Sequence, residues 1–99
     1  MLSRQRAADL LQKTSELING ERAKNYGEPE QSFQKIANFW SAYLGYEVTV
    51  HDVGMMMVLL KMARTGRGER FHVDNYIDIC GYASLIGSDD KADKELKVT

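Results

Sequence analysis

Apolar residues recur along this chain at three- and four-residue intervals, the period of one helix face. Ala7, Leu10, Leu11, Thr14, Leu17 and Ile18 predict a first helix near residues 4–19, and Gly20 stands where it would stop. A polar segment, Glu21 to Glu28, leads to Pro29, the single proline, whose fixed φ suits the first turn of a second helix. Phe33, Ile36, Ala37, Trp40, Tyr43 and Leu44 give that helix its apolar face, and Gly45 closes it. Thr49 and Asp52 have the spacing of a capping box, with Asp replacing the usual Glu, and open a third helix that runs to about Thr65. After the loop from Thr65 to Val73, which contains Gly66 and Gly68, Asp74 or its neighbour starts a fourth helix. Tyr76, Ile77, Ile79, Cys80, Ala83 and Ile86 supply its apolar surface, and Gly87 ends it.

The third helix differs from the others. Between Val53 and Ala63 only Gly54 and Lys61 interrupt the apolar residues, so burial on most sides is expected. A chain of 99 residues cannot readily enclose one helix, and part of the methionine-rich surface is therefore expected to pack on a second copy of the chain. The alternative is a central helix covered by its own neighbours. The run from Tyr46 to Val50 alternates like a strand but is too short to build a sheet. The expected architecture is an all-α bundle of about four helices in one domain over residues 1–87, followed by a charged tail or frayed extension at 88–99.

Composition narrows the function classes. An apolar content of 43% supports one modest core, and a net charge of −1 with a pI near 6.1 argues against bulk nucleic-acid binding. Cys80 is the only cysteine, which excludes an intrachain disulfide and a cysteine-based metal site and fits a reducing cytoplasm. The first residues lack the apolar core of a signal peptide, and no run approaches the roughly 18 apolar residues of a membrane span. A soluble cytoplasmic protein without a membrane partner is expected.

Residues that a core does not need cluster between positions 61 and 82. Lys61 and Arg64 lie with Gly54 and Met57 along one stripe of the third helix, and Arg67, Arg70 and His72 follow in the loop against Glu69 alone. Such cations suit a phosphate or carboxylate, while cations in a last turn also complement a helix dipole without any ligand. On the fourth helix Asp74, Asn75, Asp78 and Tyr82 share a face. Asp74 and Asp78, one turn apart, could hold Mg²⁺; equally, Asp74 could cap the helix and Asp78 could pair with Lys61 or Arg64 across a helix interface. A third polar cluster precedes Pro29, where Lys24, Asn25 and Tyr26 could meet a base or phosphate, or simply form a turn.

Taken in order, Glu21-Arg22-Ala-Lys24-Asn25-Tyr26-Gly27-Glu28-Pro29, Phe39-Trp40-Ser-Ala-Tyr43-Leu-Gly45, Val50-His51-Asp52-Val, Leu60-Lys61-Met-Ala-Arg64 and Asp74-Asn75-Tyr-Ile-Asp78-Ile-Cys-Gly81-Tyr82-Ala83 resemble a family of small phage and prophage proteins of unassigned function. The likeness covers roughly residues 20–87 and places the protein in a host cytoplasm. More distantly, Asn75-Tyr-Ile-Asp78 with the following Gly-Tyr-Ala is similar to the second acidic motif of MazG-like all-α nucleoside triphosphate pyrophosphohydrolases. That likeness implies Mg²⁺ held by acids of two helices, and dimers or tetramers. This chain departs from the pattern at Asn75, where a Glu is expected, and in the third helix, which offers Asp52, Gly54 and Met55 instead of a Glu-x-x-Glu pair.

The expectation from these residues is a helical, self-associating protein that binds a nucleotide or another phosphorylated ligand through Lys61, Arg64, Arg67, Arg70, Lys24, Tyr26, Asn75 and Tyr82. Asp74 and Asp78 orient the cations or share a metal. An enzymatic version is an Mg²⁺-dependent nucleotide pyrophosphohydrolase with Asp78 and Asp74 as catalytic and metal-binding groups. The rival readings are a non-enzymatic protein that sequesters a nucleotide and a helical adaptor that docks on a host protein.

Overall fold

In the computed structural model, residues 1–20, 27–66 and 72–90 are described, and they form helices α1 (Arg4–Asn19), α2 (Pro29–Leu44), α3 (Val50–Arg64) and α4 (Val73–Gly87). No strand occurs among the described residues, so the chain is all-α, as its periodicity predicts. Local chemistry sets each helix start. Ser3 caps α1 by accepting the Arg6 N–H at 3.2 Å, and Pro29 occupies the first turn of α2. The capping box of α3 forms in both directions: the Thr49 hydroxyl accepts the Asp52 N–H and the Asp52 carboxylate accepts the Thr49 N–H, each at 3.0 Å. At α4, Val73 is the first helical residue, so Asp74 lies in the first turn, where its charge complements the helix dipole, and is not the cap.

The α2–α3 connection is held tightly. Gly45 ends α2 at φ 79°, a left-handed conformation that glycine adopts without strain, and its N–H reaches the Ser41 carbonyl at 2.9 Å. The Ser41 hydroxyl accepts the Val48 N–H at 2.7 Å and donates to the Val48 carbonyl at 3.2 Å. One side chain thereby satisfies both backbone groups of a buried residue. Val48 can then join Phe33, Ala37 and Val53 in the core, with Trp40, Met57, Tyr82 and Leu85 packed around them.

The most extensive packing is between α3 and α4; α1 lies against α4, and α2 against α3. The close approach of α3 to α4 depends on Gly54. A Cβ there would meet Ile86 Cγ1 and Cδ1 and would come within 3.5 Å of the Phe33 ring. Gly81, in the middle of α4, is different, because a Cβ there would meet only Thr14 Cγ2, at 3.9 Å.

The alternative of a third helix covered by its own neighbours is not what the described residues form: Val53 and Gly54 are buried, while Met55, Met56, Leu59, Leu60 and Met62 are exposed. The apolar run is continuous in sequence, but α2 and α4 can occupy only the arc centred on Gly54. No helix of the described residues is long and apolar enough to cross a membrane.

Two glycine substitutions should therefore act in opposite directions in chemical denaturation. Gly54→Ala is expected to lower stability by about 1–3 kcal/mol through overpacking against Ile86. Gly81→Ala should raise it by about 0.5–1 kcal/mol, because α4 gains helix propensity at an uncrowded position. The capping box adds a pH signature. The Thr49 backbone and hydroxyl bonds, aided by His51, hold the Asp52 carboxyl below the ordinary aspartate range. A depressed folded-state value means that Asp52 stabilises α3 above the unfolded pKa and loses this contribution as pH falls through the lowered value. Asp52→Asn should flatten the acid limb of the stability curve, measured by denaturation at stepped pH below about 5.

Candidate functional site

The helix packing brings Lys61 of α3 to Asp78 of α4, Nζ to Oδ2 at 3.0 Å, with 16% and 13% of their side-chain surfaces exposed. Both groups sit on the inner arcs of their helices. Lys61 lies two turns beyond Val53 and Gly54, and Asp78 follows the buried Ile77. A pair this enclosed must satisfy itself, because desolvation removes most of what water would supply. One turn earlier on α4, Asn75 is buried, and its Nδ2 donates to the Arg64 carbonyl at 3.3 Å. Arg64 is the last residue of α3, where carbonyls lack intrahelical donors. Asn75 therefore closes the end of α3, which explains an amide at this position.

Asp78 also faces the other way. It helps line a cavity of about 340 Å³ between α1, α2 and α4. Leu17 and Ile18 of α1, Phe33 and Ile36 of α2, and Ile77 and Leu85 of α4 form apolar walls. Thr14, Ser32, Asp78 and Tyr82 supply the polar groups, and Gly27, Pro29 and Gly81 complete the lining. The Tyr82 ring lies 6.1 Å from that of Phe33, a tilted aromatic pair at the cavity wall. The volume falls at the lower end of the roughly 300–1,000 Å³ range of small-molecule sites, which are characteristically apolar with a few convergent polar groups.

The residues singled out by sequence divide into four groups. Lys61, Asp78, Asn75 and Tyr82 converge on the α3–α4 interface and its cavity side. Arg64 is exposed at the end of α3, its backbone engaged by Asn75. Asp74 is exposed one turn from Asp78 and does not line the cavity. Arg67, Arg70, Lys24 and Tyr26 lie outside the described residues.

A Mg²⁺ ion would find at most the Asp74–Asp78 pair here among the described residues, and Asp78 already carries an ion-pair partner. Asp78 turns one carboxylate oxygen to an ammonium, Asn75 is committed to a helix end, and Asp74 is exposed in the first turn. Among the described residues no group of three or more His, Cys, Asp or Glu is placed to hold a metal. The salt-bridge alternative for Asp78 is the one the fold realises.

Thr14, Ser32 and Gly81 were not recognised as lining residues from sequence, although two carried a signal. Thr14 interrupts the apolar stripe of α1; it is buried, and its hydroxyl donates to the Leu10 carbonyl at 2.8 Å. Gly81 stands in mid-helix, where glycine costs roughly 1 kcal/mol relative to alanine, and its bare Cα leaves space for the cavity.

Lys61→Met should remove the cation from a largely buried carboxylate and lower unfolding free energy by about 3 kcal/mol. Adding Asp78→Asn should recover most of that loss, as read by a double-mutant cycle in urea.

A family model described as a domain of unknown function (DUF6378) matches residues 9–89. The Gene 55 protein of Mycobacterium phage D29 is 42% identical over 77 residues, covering 78% of this chain and 50% of the phage protein. The Gene 55 protein of Mycobacterium phage L5 is 42% identical over 78 residues, covering 78% and 49%. The chain thus spans about half the length of these curated relatives. No solved structure matches it.

Proposed function

The chain belongs to the DUF6378 family, which has members in mycobacteriophages, and from that premise and the site's geometry we propose that it binds a nucleotide or a closely related phosphorylated small molecule. The observation that carries this reading is the position of Asp78, which is fixed by Lys61 on one side and forms part of an apolar cavity wall on the other. A heteroaromatic base suits such a cavity. Its faces would pack against Phe33 and the aliphatic walls, and its N–H groups would donate to the Asp78 carboxylate and to hydroxyls of Ser32 and Tyr82. For the phosphates the proposal keeps the cations singled out by sequence, Arg64 and, outside the described residues, Lys24, Arg67 and Arg70.

Recognition is favoured over reaction. A MazG-like hydrolase would place Asp74 and Asp78 together on Mg²⁺, whereas here Asp78 is committed to Lys61 and Asp74 is exposed one turn away. Binding without turnover is the behaviour of a protein that sequesters its ligand. An adaptor role that uses Lys61 and Asp78 purely as a structural pair accounts for the ion pair but not for the cavity beside it.

A thermal-shift screen of nucleotides, with Mg²⁺ and with EDTA, tests this proposal. At least one nucleotide is expected to raise the melting temperature in both conditions; a ligand at 100 times its Kd adds about 2.7 kcal/mol to the native state. Gly81→Leu, which directs a side chain into the cavity, should abolish the shift while preserving the helical circular-dichroism spectrum. Absence of a shift with every nucleotide overturns the binding reading. Hydrolysis of a nucleotide that requires Mg²⁺ replaces it with the enzymatic one.

A further inference from the structure

The groups that line the cavity beside Asp78 are biased in what they can offer a ligand. Among the described residues, none that lines it is a lysine, arginine, histidine, asparagine, glutamine or tryptophan, so the lining offers no side-chain N–H. As a carboxylate, Asp78 presents lone pairs and no proton, whatever it holds besides Lys61. Thr14 commits its proton to the Leu10 carbonyl at 2.8 Å. The start of α2, which meets the cavity at Pro29 and Ser32, adds little: Pro29 has no N–H, and the N–H groups of Gln31 and Ser32 donate to the Glu28 carbonyl at 3.1 and 3.3 Å. The Ser32 and Tyr82 hydroxyls can accept as readily as donate. The polar part of the cavity is therefore an acceptor surface, and a group enclosed there without donors would leave lone pairs unsatisfied.

The nucleobases divide on this property. Guanine carries a ring N–H and an amino group side by side on one edge. Adenine and cytosine set their amino group beside a ring nitrogen that accepts, and uracil and thymine hold one N–H between two carbonyls. Two adjacent N–H groups match the two oxygens of a carboxylate, whereas a ring acceptor in the same place would set lone pair against lone pair. A flat ring also suits α4 at Gly81. A Cβ there would meet only Thr14 Cγ2, at 3.9 Å, so no described neighbour requires a glycine, and the bare Cα lets a ring lie close to the helix.

Resting on the binding reading above, we propose that the cavity selects guanine: its ring N–H and 2-amino group donate to Asp78, and its ring lies against α4 at Gly81. Asp78 sets which base is taken. Lys61 is a positioning residue, which holds the carboxylate through their 3.0 Å contact.

Isothermal titration calorimetry of the full chain in EDTA tests this with GTP, inosine triphosphate, ATP, CTP and UTP. Inosine triphosphate differs from GTP only in lacking the 2-amino group. GTP is expected to bind about tenfold tighter than inosine triphosphate, and the other three more weakly still. Equal affinity for GTP and inosine triphosphate, or a preference for any other base, overturns the selection of guanine and leaves the binding reading standing. Absence of binding across the series overturns both. In the Lys61→Met/Asp78→Asn double variant, with its helical circular-dichroism spectrum retained, an amide replaces the carboxylate and brings a donor of its own. That variant should favour xanthosine triphosphate, in which a carbonyl replaces the 2-amino group, over GTP. A double variant that keeps the wild-type preference for GTP overturns the role of Asp78.

Discussion

The Lys61–Asp78 ion pair fixes how α4 lies against α3, and the candidate site depends on that relation. With Asp78 at 3.0 Å from Lys61 and largely removed from water, α4 has little freedom to rotate about its axis without leaving an enclosed charge uncompensated. The rotation it fixes has three consequences. Asn75, three residues before Asp78, meets the end of α3; Ile77 enters the core; and Gly81 and Tyr82, one turn later, reach the cavity. The contact of Gly54 with Ile86 completes the register farther along α4. An ion pair is a costly way to join two helices, since apolar residues of similar volume often do as well or better. Its presence at a cavity wall is consistent with a carboxylate retained for recognition, and that is the function proposed for it.

Much of the fold was legible in the sequence because its signals are local. The three-four spacing of Phe33, Ile36, Ala37 and Trp40, the proline at the start of α2, and the Thr49–Asp52 pair each act within a turn or two. The structure shows each of them where it was expected. The Lys61–Asp78 pairing was also available as one of two alternatives, since both residues lie on defined faces of adjacent helices. What could not be read was which alternative the packing selects, because that depends on the angular position of α4 and not on either helix alone. The cavity was invisible for the same reason: its walls come from three helices, and the signals that Thr14 and Gly81 carry in their own helices do not say that the two residues face one space. The exposure of α3 shows the opposite limit. Its sequence reads as a buried helix, while its neighbours cover only one arc.

The two sides of α3 divide the molecule's work. The inner arc carries Val53, Gly54 and Lys61, and through them the core and the ion pair; the outer arc is apolar and points away from the cavity. The mycobacteriophage relatives share 42% identity with the chain over about half their own length, so they carry further sequence around the same kind of helical unit.

The central claim is that a ligand enters the cavity beside Asp78. Backbone amide chemical shifts, followed by NMR while a nucleotide is titrated into the full chain, test it most directly. The account predicts that perturbations concentrate on cavity-lining residues of three helices, Thr14, Ser32, Gly81 and Tyr82 among them, with the Asn75 side-chain amide responding as α4 adjusts. Perturbations confined to the outer face of α3, or a spectrum unchanged at saturating nucleotide, would contradict it.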